Sequence, residues 1–388
     1  MRIALLTDGI YPYVLGGMQK HSFYLAKYLA RNKIFVDLYH TGSIEADTKQ
    51  LREFSEEELA YITPNYIPFP SVSKLPGHYV LESYLYSERV YKLLRGKEAV
   101  DFIYAQGFTG WKTIAEKRKG KSLPAIGVNF HGVEMFQQSP NLNVKLQHLL
   151  LRAPVKYVLK NADLVFSLGG KLTAIQEKLT LRRIIETPIG IEQHWLEENL
   201  LVETNKDRKF VFIGRYERRK GIEELQEVIN KISSSYAFSF SFIGPIPNDK
   251  QLELTNVNYL GLIKNEIEIK RILHAADVLV CPSYSEGMPT VILEAMASGL
   301  AVIATDVGAV SALVSDQTGW LIPVADKESL QLAITEAINM DTQVLLQKKE
   351  ASKRMIAENF TWDTIIQTTI DSINSIVHQR HPYHISEG

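Results

Sequence analysis

Short apolar runs alternate with amphipathic segments in the first half of the chain. Residues 2–7 show a buried-strand pattern, a glycine-containing loop follows, and residues 18–31 repeat apolar positions at helical spacing. The next apolar run, 35–39, completes a strand–helix–strand unit whose two strands we expect to be parallel. Three further apolar runs predict strands at 102–105, 126–130 and 164–167.

A second series of the same kind begins after the polar stretch 197–208. Apolar runs predict strands at 210–214, 238–243, 258–261, 278–281 and 301–305. Helical spacing predicts helices at 222–232, 266–275 and 289–298, and further helical segments over 327–377. Because strands and helices alternate, we predict an α/β fold with two Rossmann-like, doubly wound parallel-sheet domains joined near 190–208.

The stretch 61–86 does not fit this alternation. It holds Pro64, Pro68, Pro70 and Pro76 among many aromatic residues. We therefore predict a long irregular excursion from the scaffold, of the kind that shapes a binding site.

Composition places the chain among soluble globular proteins. Of its 388 residues 45% are apolar and 22% are charged, and 43 Lys and Arg residues nearly balance 44 Asp and Glu residues. This excludes disorder and argues against general binding to nucleic acid. The single cysteine, Cys281, excludes an intramolecular disulfide and suits a reducing compartment. Because no apolar run is long enough to cross a bilayer and the first run breaks at Thr7-Asp8, we expect a cytoplasmic protein.

The near-zero net charge conceals an asymmetry. Residues 1–190 hold 25 basic and 17 acidic residues, whereas residues 191–388 hold 18 and 27. The basic excess is concentrated in 112–183, with 13 basic and 4 acidic residues. Either the first half faces an anionic partner or surface, or the solvated helix faces of the two halves simply differ.

Candidate chemistry lies in the loops that follow predicted strands, because ligands of open α/β sheets bind beyond the carboxyl ends of the strands. In the loop after 278–281, Glu286 is followed by Gly287, which allows close backbone approach, and by a helix whose N-terminus attracts phosphate. Glu294 lies about two turns further along that helix. Ionised carboxylates at these positions could accept hydrogen bonds from sugar or ribose hydroxyl groups, although Glu294 could equally be a solvated helix residue.

Two other loops point to an anionic ligand. Arg215 and Lys220 follow the strand at 210–214, where a guanidinium and an ammonium group suit a diphosphate. Gly16 and Gly17 stand at the start of the first helix, where backbone N–H groups can face an anion. Each loop can also be interpreted without a ligand, the first as a solvated basic loop and the second as a plain turn.

The order of these motifs is more specific than any one of them. Gly16-Gly17, then His131, then Arg215 with Lys220, then Glu286 and Glu294 eight positions later, resembles the retaining, GT-B-fold glycosyltransferases of family 4. The resemblance covers nearly the whole chain and is densest over 209–310. It implies an acceptor-binding domain at 1–195, a nucleotide-sugar donor domain at 196–360, and a C-terminal helix and tail at 361–388 that cross back onto the first domain.

The resemblance also implies roles for individual residues. Arg215 and Lys220 would neutralise the donor diphosphate in place of a metal ion, and Glu286 would face the transferred sugar. Glu294 would bind the ribose hydroxyls, and His131 would lie near the donor sugar. The implied catalytic residues are therefore Arg215, Lys220, Glu286 and His131. The implied donor site comprises Gly16, Gly17, Arg215, Lys220, Leu262, Ile263, Glu286, Gly287, Met288, Pro289, Thr290 and Glu294.

Two departures from the family pattern concern contacts between the domains. Gln19 stands where glutamate is common, and Ile189 and Glu192 replace a frequent asparagine and aspartate.

The implied reaction transfers a hexose-type sugar from a UDP-sugar, or less commonly a GDP-sugar, to a hydroxyl of a glycan or lipid-linked saccharide. It would proceed with retained anomeric configuration, without a metal or other cofactor, in cell-surface polysaccharide biosynthesis. The alternatives are a GT-B-fold epimerase or phosphorylase, a non-catalytic nucleotide-sugar-binding subunit, and a glycoside hydrolase that uses Glu286 and Glu294 as its acid/base pair.

Basic residues recur every four positions at His148, Arg152, Lys156 and Lys160. On one continuous helix they would form a basic stripe suited to an anionic membrane surface at the inner face of the plasma membrane. Pro154 could instead begin a new helix and break the stripe.

Overall fold

Two parallel β-sheets, one from each half of the chain, organise the protein. The computed structural model describes residues 1–14, 16–42, 51–72, 77–196, 204 and 207–380. Within these residues, no helix is long and apolar enough to cross a membrane.

The first sheet has seven strands in the order β3-β2-β1-β4-β5-β6-β7. Its strands are β1 Arg2–Leu6, β2 Phe35–His40, β3 Ile62–Tyr66, β4 Phe102–Gln106, β5 Ala125–Asn129, β6 Leu164–Ser167 and β7 Ile184–Glu186. Its helices are α1 Gly17–Arg31, α2 Glu56–Leu59, α3 His78–Leu94, α4 Trp111–Arg118, α5 Leu142–Asn161 and α6 Lys171–Glu177. The inner strands β4, β5 and β6 are fully buried, as is typical of a parallel sheet with helices on both faces, whereas the edge strands β3 and β7 are partly exposed.

The second sheet has six strands in the order β10-β9-β8-β11-β12-β13. Its strands are β8 Arg208–Ile213, β9 Phe238–Ile243, β10 Val257–Tyr259, β11 Val278–Cys281, β12 Ala301–Thr305 and β13 Gly319–Ile322. The helices of this half are α7 Ile222–Ile232, α8 Glu266–His274, α9 Thr290–Ala297, α10 Lys327–Asn339, α11 Thr342–Asn359 and α12 Trp362–Arg380. Alternation of Phe and Ser in β9 directs its phenylalanines to one face, where Phe240 stacks on Phe210 with ring centroids 6.0 Å apart.

The prediction of an irregular excursion at 61–86 is wrong at both ends of the stretch, which form the strand β3 and the first half of the helix α3. Residues 67–72 form no helix or strand, and Phe69, Tyr79, Ser83 and Tyr86 line the main cavity described below. Pro64 is tolerated because β3 pairs with β2 alone, at the edge of the sheet, and an edge strand needs no outward N–H donor. The α3 helix begins directly after Gly77, whose φ of 86° is the left-handed conformation that glycine adopts easily.

The strand order positions the ligand-binding edge of each sheet. In the first sheet, the strands that follow β1 in the chain are added first on one side of β1, as β2 and β3, and then on its other side, from β4 onwards. The second sheet is built in the same way around β8, with β9 and β10 on one side and β11 to β13 on the other. Such reversal points open a crevice at the carboxyl ends of the strands.

The last helix joins the two halves. α12 follows the second sheet yet packs against α1 of the first half. The Trp362 side chain is buried, stacks on Tyr28 at 5.7 Å, and lies 5.3 Å from the His21 ring. A backbone bridge between Ile191 and Thr361 fixes the start of this crossover.

The α5 helix continues through Pro154, so this proline does not begin a new helix. The predicted basic stripe is nevertheless divided. Arg152 donates a hydrogen bond to the Met135 carbonyl, and the His148 ring contacts the Ser139 hydroxyl. Both side chains thus bind the loop that precedes α5 and are not part of a continuous basic surface. The exposed surface of α5 carries basic and apolar residues together, namely Lys145, Lys156, Lys160, Leu142, Leu146, Leu149 and Leu150.

Candidate active site

A cavity of about 850 Å³ lies between the carboxyl edges of the two sheets. Its walls include the loops after β1, β4 and β5 on one side and the loops after β8 and β11 on the other. Of the residues implied for the donor site and for catalysis, the cavity is lined by Gly17, His131, Lys220, Glu286, Gly287, Met288, Pro289 and Thr290.

Glu286 is buried at the centre of a polar cluster in the loop between β11 and α9. Its Oε1 atom accepts hydrogen bonds from the Lys220 ammonium at 2.6 Å and the Ser283 hydroxyl at 2.7 Å. The Arg219 guanidinium lies 3.6 Å from its Oε2 atom. Burial of a carboxylate is costly unless such cations and donors surround it.

The basic loop after β8 reaches Glu286 through a tight turn at 218–220. Gly221 ends this turn with φ of 66°, and a Cβ atom there would lie 2.0 Å from the Pro282 carbonyl oxygen. The loop can therefore pack directly on the strand that leads to Glu286. This close approach brings Lys220 to the carboxylate.

The two cations expected from the sequence take different positions. Lys220 lies in the cavity, whereas the Arg215 side chain is 70% exposed, pairs with Glu217 at 3.0 Å, and is absent from the cavity wall. Arg219 lies on the wall instead. Sequence reasoning missed Arg219, because the run Arg218-Arg219-Lys220 does not reveal which side chains a 3₁₀ turn directs inward.

His131 follows β5 and belongs to a buried chain of polar side chains. Its Nε2 atom lies 2.8 Å from the Gln106 amide oxygen, and the Gln106 amide nitrogen lies 3.1 Å from His21. Burial, and then the neighbouring His21 ring, lower the pKa of His131 well below its ordinary value. The imidazole is therefore neutral at physiological pH. Its Nδ1 atom is buried and has no hydrogen-bond partner among the described residues.

The two halves touch where the acidic loop meets the loop after β5. A Cβ atom on Gly287 would lie 2.0 Å from the His131 carbonyl oxygen. The Gln137 amide donates a hydrogen bond of 2.8 Å to the Glu286 carbonyl across the same boundary. The site is thus built jointly by both halves of the chain.

Other implied residues lie beside the main cavity. Glu294 in α9 pairs with Lys20 of α1 at 3.1 Å, in a small neighbouring cavity that Thr290 also lines. Gly16 precedes α1 as its N-cap. Leu262 is exposed and Ile263 packs against the apolar core, and neither lines the main cavity.

Metal-ligand clusters are absent from the part of the chain that the structure describes. There, no three or more His, Cys, Asp or Glu side chains lie close enough together to hold a metal ion. Metal independence of the reaction stays a prediction.

Comparison with known proteins finds a family match in the second half. Residues 207–340 match the family model described as glycosyl transferases group 1. The match covers the basic loop, the acidic loop and α9, and therefore the Lys220, Glu286 and Glu294 positions.

Curated relatives match over part of their length. The putative teichuronic acid biosynthesis glycosyltransferase TuaC of Bacillus subtilis is 35% identical over 191 residues, which cover 46% of this chain and 48% of TuaC. The putative colanic acid biosynthesis glycosyltransferase WcaL of Escherichia coli is 23% identical over 257 residues, 62% of each chain. The chain thus spans about half the length of TuaC and less than two thirds of WcaL.

Solved structures match over almost the entire chain. Sucrose-phosphate synthase of Thermosynechococcus elongatus superposes with a TM-score of 0.78 at 20% identity, covering 97% of this chain and 99% of that one. HepE of Anabaena, solved in complex with UDP and glucose, gives a TM-score of 0.66 at 18% identity, covering 97% and 100%. The predicted GT-B architecture, with two parallel sheets facing across a cleft, is confirmed.

Proposed function

We propose that this chain is a glycosyltransferase that moves a hexose-type sugar from a nucleoside-diphosphate sugar to a hydroxyl of a glycan or lipid-linked saccharide. A UDP-sugar is the preferred donor and a GDP-sugar the alternative. The acceptor would be an intermediate of cell-surface polysaccharide biosynthesis.

The observation that carries this proposal is the cluster of Lys220, Arg219 and Glu286 in a cavity built by both sheets. A diphosphate leaving group needs fixed cations, and a sugar needs a buried carboxylate that accepts its hydroxyl hydrogens. Both groups lie here within 4 Å of each other. The group 1 match over the same loops supports the assignment.

The similar proteins support the substrate classes. TuaC and WcaL are described as putative glycosyltransferases of teichuronic acid and colanic acid biosynthesis, both of them polysaccharides. HepE is described in complex with UDP and glucose. We extend these classes to the present chain as part of the proposal.

The proposed mechanism is a front-face displacement that retains the anomeric configuration. The acceptor oxygen forms a bond to the anomeric carbon as the bond from that carbon to the diphosphate oxygen breaks. The acceptor proton passes to a leaving phosphate oxygen, and Lys220, with Arg219 or Arg215, stabilises the developing negative charge. Because His131 is neutral, it can take part in hydrogen bonds near the donor sugar without adding a charge there.

Thermal unfolding with UDP, GDP, ADP and CDP, each without added metal, tests the donor site. A nucleotide present at about 100 times its dissociation constant stabilises the folded state by about 2.7 kcal/mol. We expect UDP to raise the unfolding temperature, and Glu294→Ala to abolish the shift because the ribose loses its carboxylate partner. Absence of a shift with every nucleotide would contradict the proposed function.

We also propose that the enzyme is cytoplasmic and associates peripherally with the inner face of the plasma membrane. The exposed surface of α5 supports this, because it combines Lys145, Lys156 and Lys160 with four exposed leucines, and residues 142–161 contain no acidic residue. Basic and apolar groups together favour an anionic lipid interface.

Sedimentation with vesicles containing 30 mol% anionic lipid tests this association. Each lysine near such a surface contributes about 1 kcal/mol. The double variant Lys145→Glu/Lys156→Glu should therefore bind at least ten-fold more weakly than the parent. Lys231→Glu/Lys250→Glu, which alters the second half, serves as the control. Equal binding of both double variants would contradict the role of α5.

A further inference from the structure

The cavity walls differ in charge. The cationic side chains that line it, Arg218, Arg219 and Lys220, all come from the second half of the chain. Among the described residues, the wall from the first half contributes no lysine or arginine, but it contributes two carboxylates, Asp8 and Glu134. This wall lies outside the group 1 match.

Both carboxylates are held where they face the cavity. Asp8 follows β1 and accepts a hydrogen bond of 2.8 Å from the Gln19 amide, and Glu134 begins a 3₁₀ turn after β5. Burial raises the pKa of Asp8 to about 6 and also raises the pKa of Glu134. Neither carboxylate has an ion-pair partner within the described residues, so both keep the capacity to accept hydrogen bonds from a ligand.

Hydroxyl groups and aromatic rings complete this wall. Tyr79 and Ser83 stand one turn apart on α3, and both line the cavity. Desolvation of the Tyr79 hydroxyl, and then the charge of Asp8, raise the pKa of Tyr79 to about 12, so this hydroxyl stays protonated. The Tyr79 and Phe108 rings meet edge to face at 6.4 Å. Carboxylates, hydroxyls and ring surfaces together suit the polar edges and apolar faces of a sugar ring.

We propose that Asp8, Glu134, Tyr79 and Ser83 form the acceptor subsite, and that the sugar bound there is neutral. This inference rests on the proposed glycosyltransferase function. A phosphorylated or uronic sugar would bring its negative charge against two half-buried carboxylates, and the lysine and arginine side chains that line the cavity come from the donor side. A lipid-linked acceptor would therefore present its terminal neutral sugar to this wall and keep its phosphates outside the cavity.

Saturation-transfer difference NMR on the full chain with UDP tests the subsite at pH 7.5. The probes are the methyl glycosides of glucose, galactose and mannose, compared with the 6-phosphates of the same sugars and with glucuronate and galacturonate. We expect at least one neutral glycoside to receive saturation, and its charged counterparts to bind at least ten-fold more weakly.

Two charge-removing variants connect the preference to the named residues. Asp8→Asn and Glu134→Gln should each weaken binding of the neutral glycoside. Each should also reduce, several-fold, the ratio of the affinity for the neutral glycoside to the affinity for the 6-phosphate. Glu98→Gln, at an exposed carboxylate of the same half, should leave both unchanged. Glu134→Gln keeps the inference testable if Asp8→Asn does not fold.

The outcomes separate this inference from the proposed function. Equal or stronger binding of the phosphorylated or uronic sugars overturns the inference, as does the absence of saturation on all neutral glycosides in a protein that UDP stabilises. Failure of every nucleoside diphosphate to stabilise the protein would instead overturn the proposed function.

Discussion

At the scale of single residues, the site depends on which cations reach Glu286. Lys220 donates to this carboxylate at 2.6 Å, and Arg219 lies 3.6 Å away, whereas Arg215 extends into solvent. A fixed charge inside a water-poor cleft stabilises a developing anion far better than an exposed one. We therefore expect catalysis to depend most strongly on Lys220.

Lys220→Ala should lower kcat by about 10²–10³, the usual cost of losing one preorganised group that stabilises transition-state charge. Steady-state kinetics with a UDP-sugar measures this loss. Lys250→Ala, at a half-exposed lysine of the same half, should change kcat less than two-fold. An unchanged kcat in Lys220→Ala would remove the diphosphate assignment.

At the scale of elements, the turn at 218–221 decides whether the basic loop can reach the acidic loop. Gly221 combines φ of 66° with a contact distance of 2.0 Å between a notional Cβ atom and the Pro282 carbonyl oxygen. A side chain here would meet both backbone strain and a clash with main-chain atoms that cannot rotate away.

Gly221→Ala should destabilise the protein by about 2–4 kcal/mol, from the left-handed backbone and the forced shift at Pro282 together. Gly120→Ala is the matched control, because Gly120 has φ of 90° and no atom within 4 Å of its notional Cβ. It should cost only about 1 kcal/mol. Urea denaturation of both variants measures the difference, and similar losses would show that the contact at Pro282 is unimportant.

At the scale of the whole molecule, α12 connects the halves that build the cavity. Trp362 is buried among His21, Tyr24 and Tyr28 of α1, and a Cβ atom on Gly190 would lie 2.8 Å from its backbone. The crossover thus contributes apolar burial between parts of the chain that are far apart in sequence.

Trp362→Ala should cost about 3–5 kcal/mol, the usual loss for a large buried aromatic residue, and should weaken coupling between the two halves. Scanning calorimetry should then resolve two unfolding transitions in the variant, whereas we expect a single transition in the parent. Trp320→Ala, in the edge strand β13 of the second sheet, should lower stability without separating the transitions. A single shifted transition in Trp362→Ala would argue against α12 as the coupling element.

Local sequence patterns predict most of the strands and helices of the fold. The apolar runs at 102–105 and 278–281 predicted β4 and β11 because a strand buried on both faces needs an unbroken apolar run. The edge strand β3 was missed because Pro64 signals a break, and only pairing with β2 reveals that its missing donor faces away. Boundaries between domains at 195 and 360 stay predictions.

The alternating α/β plan and the loops that carry Lys220 and Glu286 follow from the sequence, because apolar periodicity and residue types at strand ends predict them. Only the packed fold shows that Arg219 lies beside Glu286, that Arg152 donates a hydrogen bond to the Met135 carbonyl, and that Asp8 and Glu134 line the same wall of the cavity. The physical reason is that side-chain direction in a turn, and proximity between segments far apart in the chain, depend on how packed elements meet.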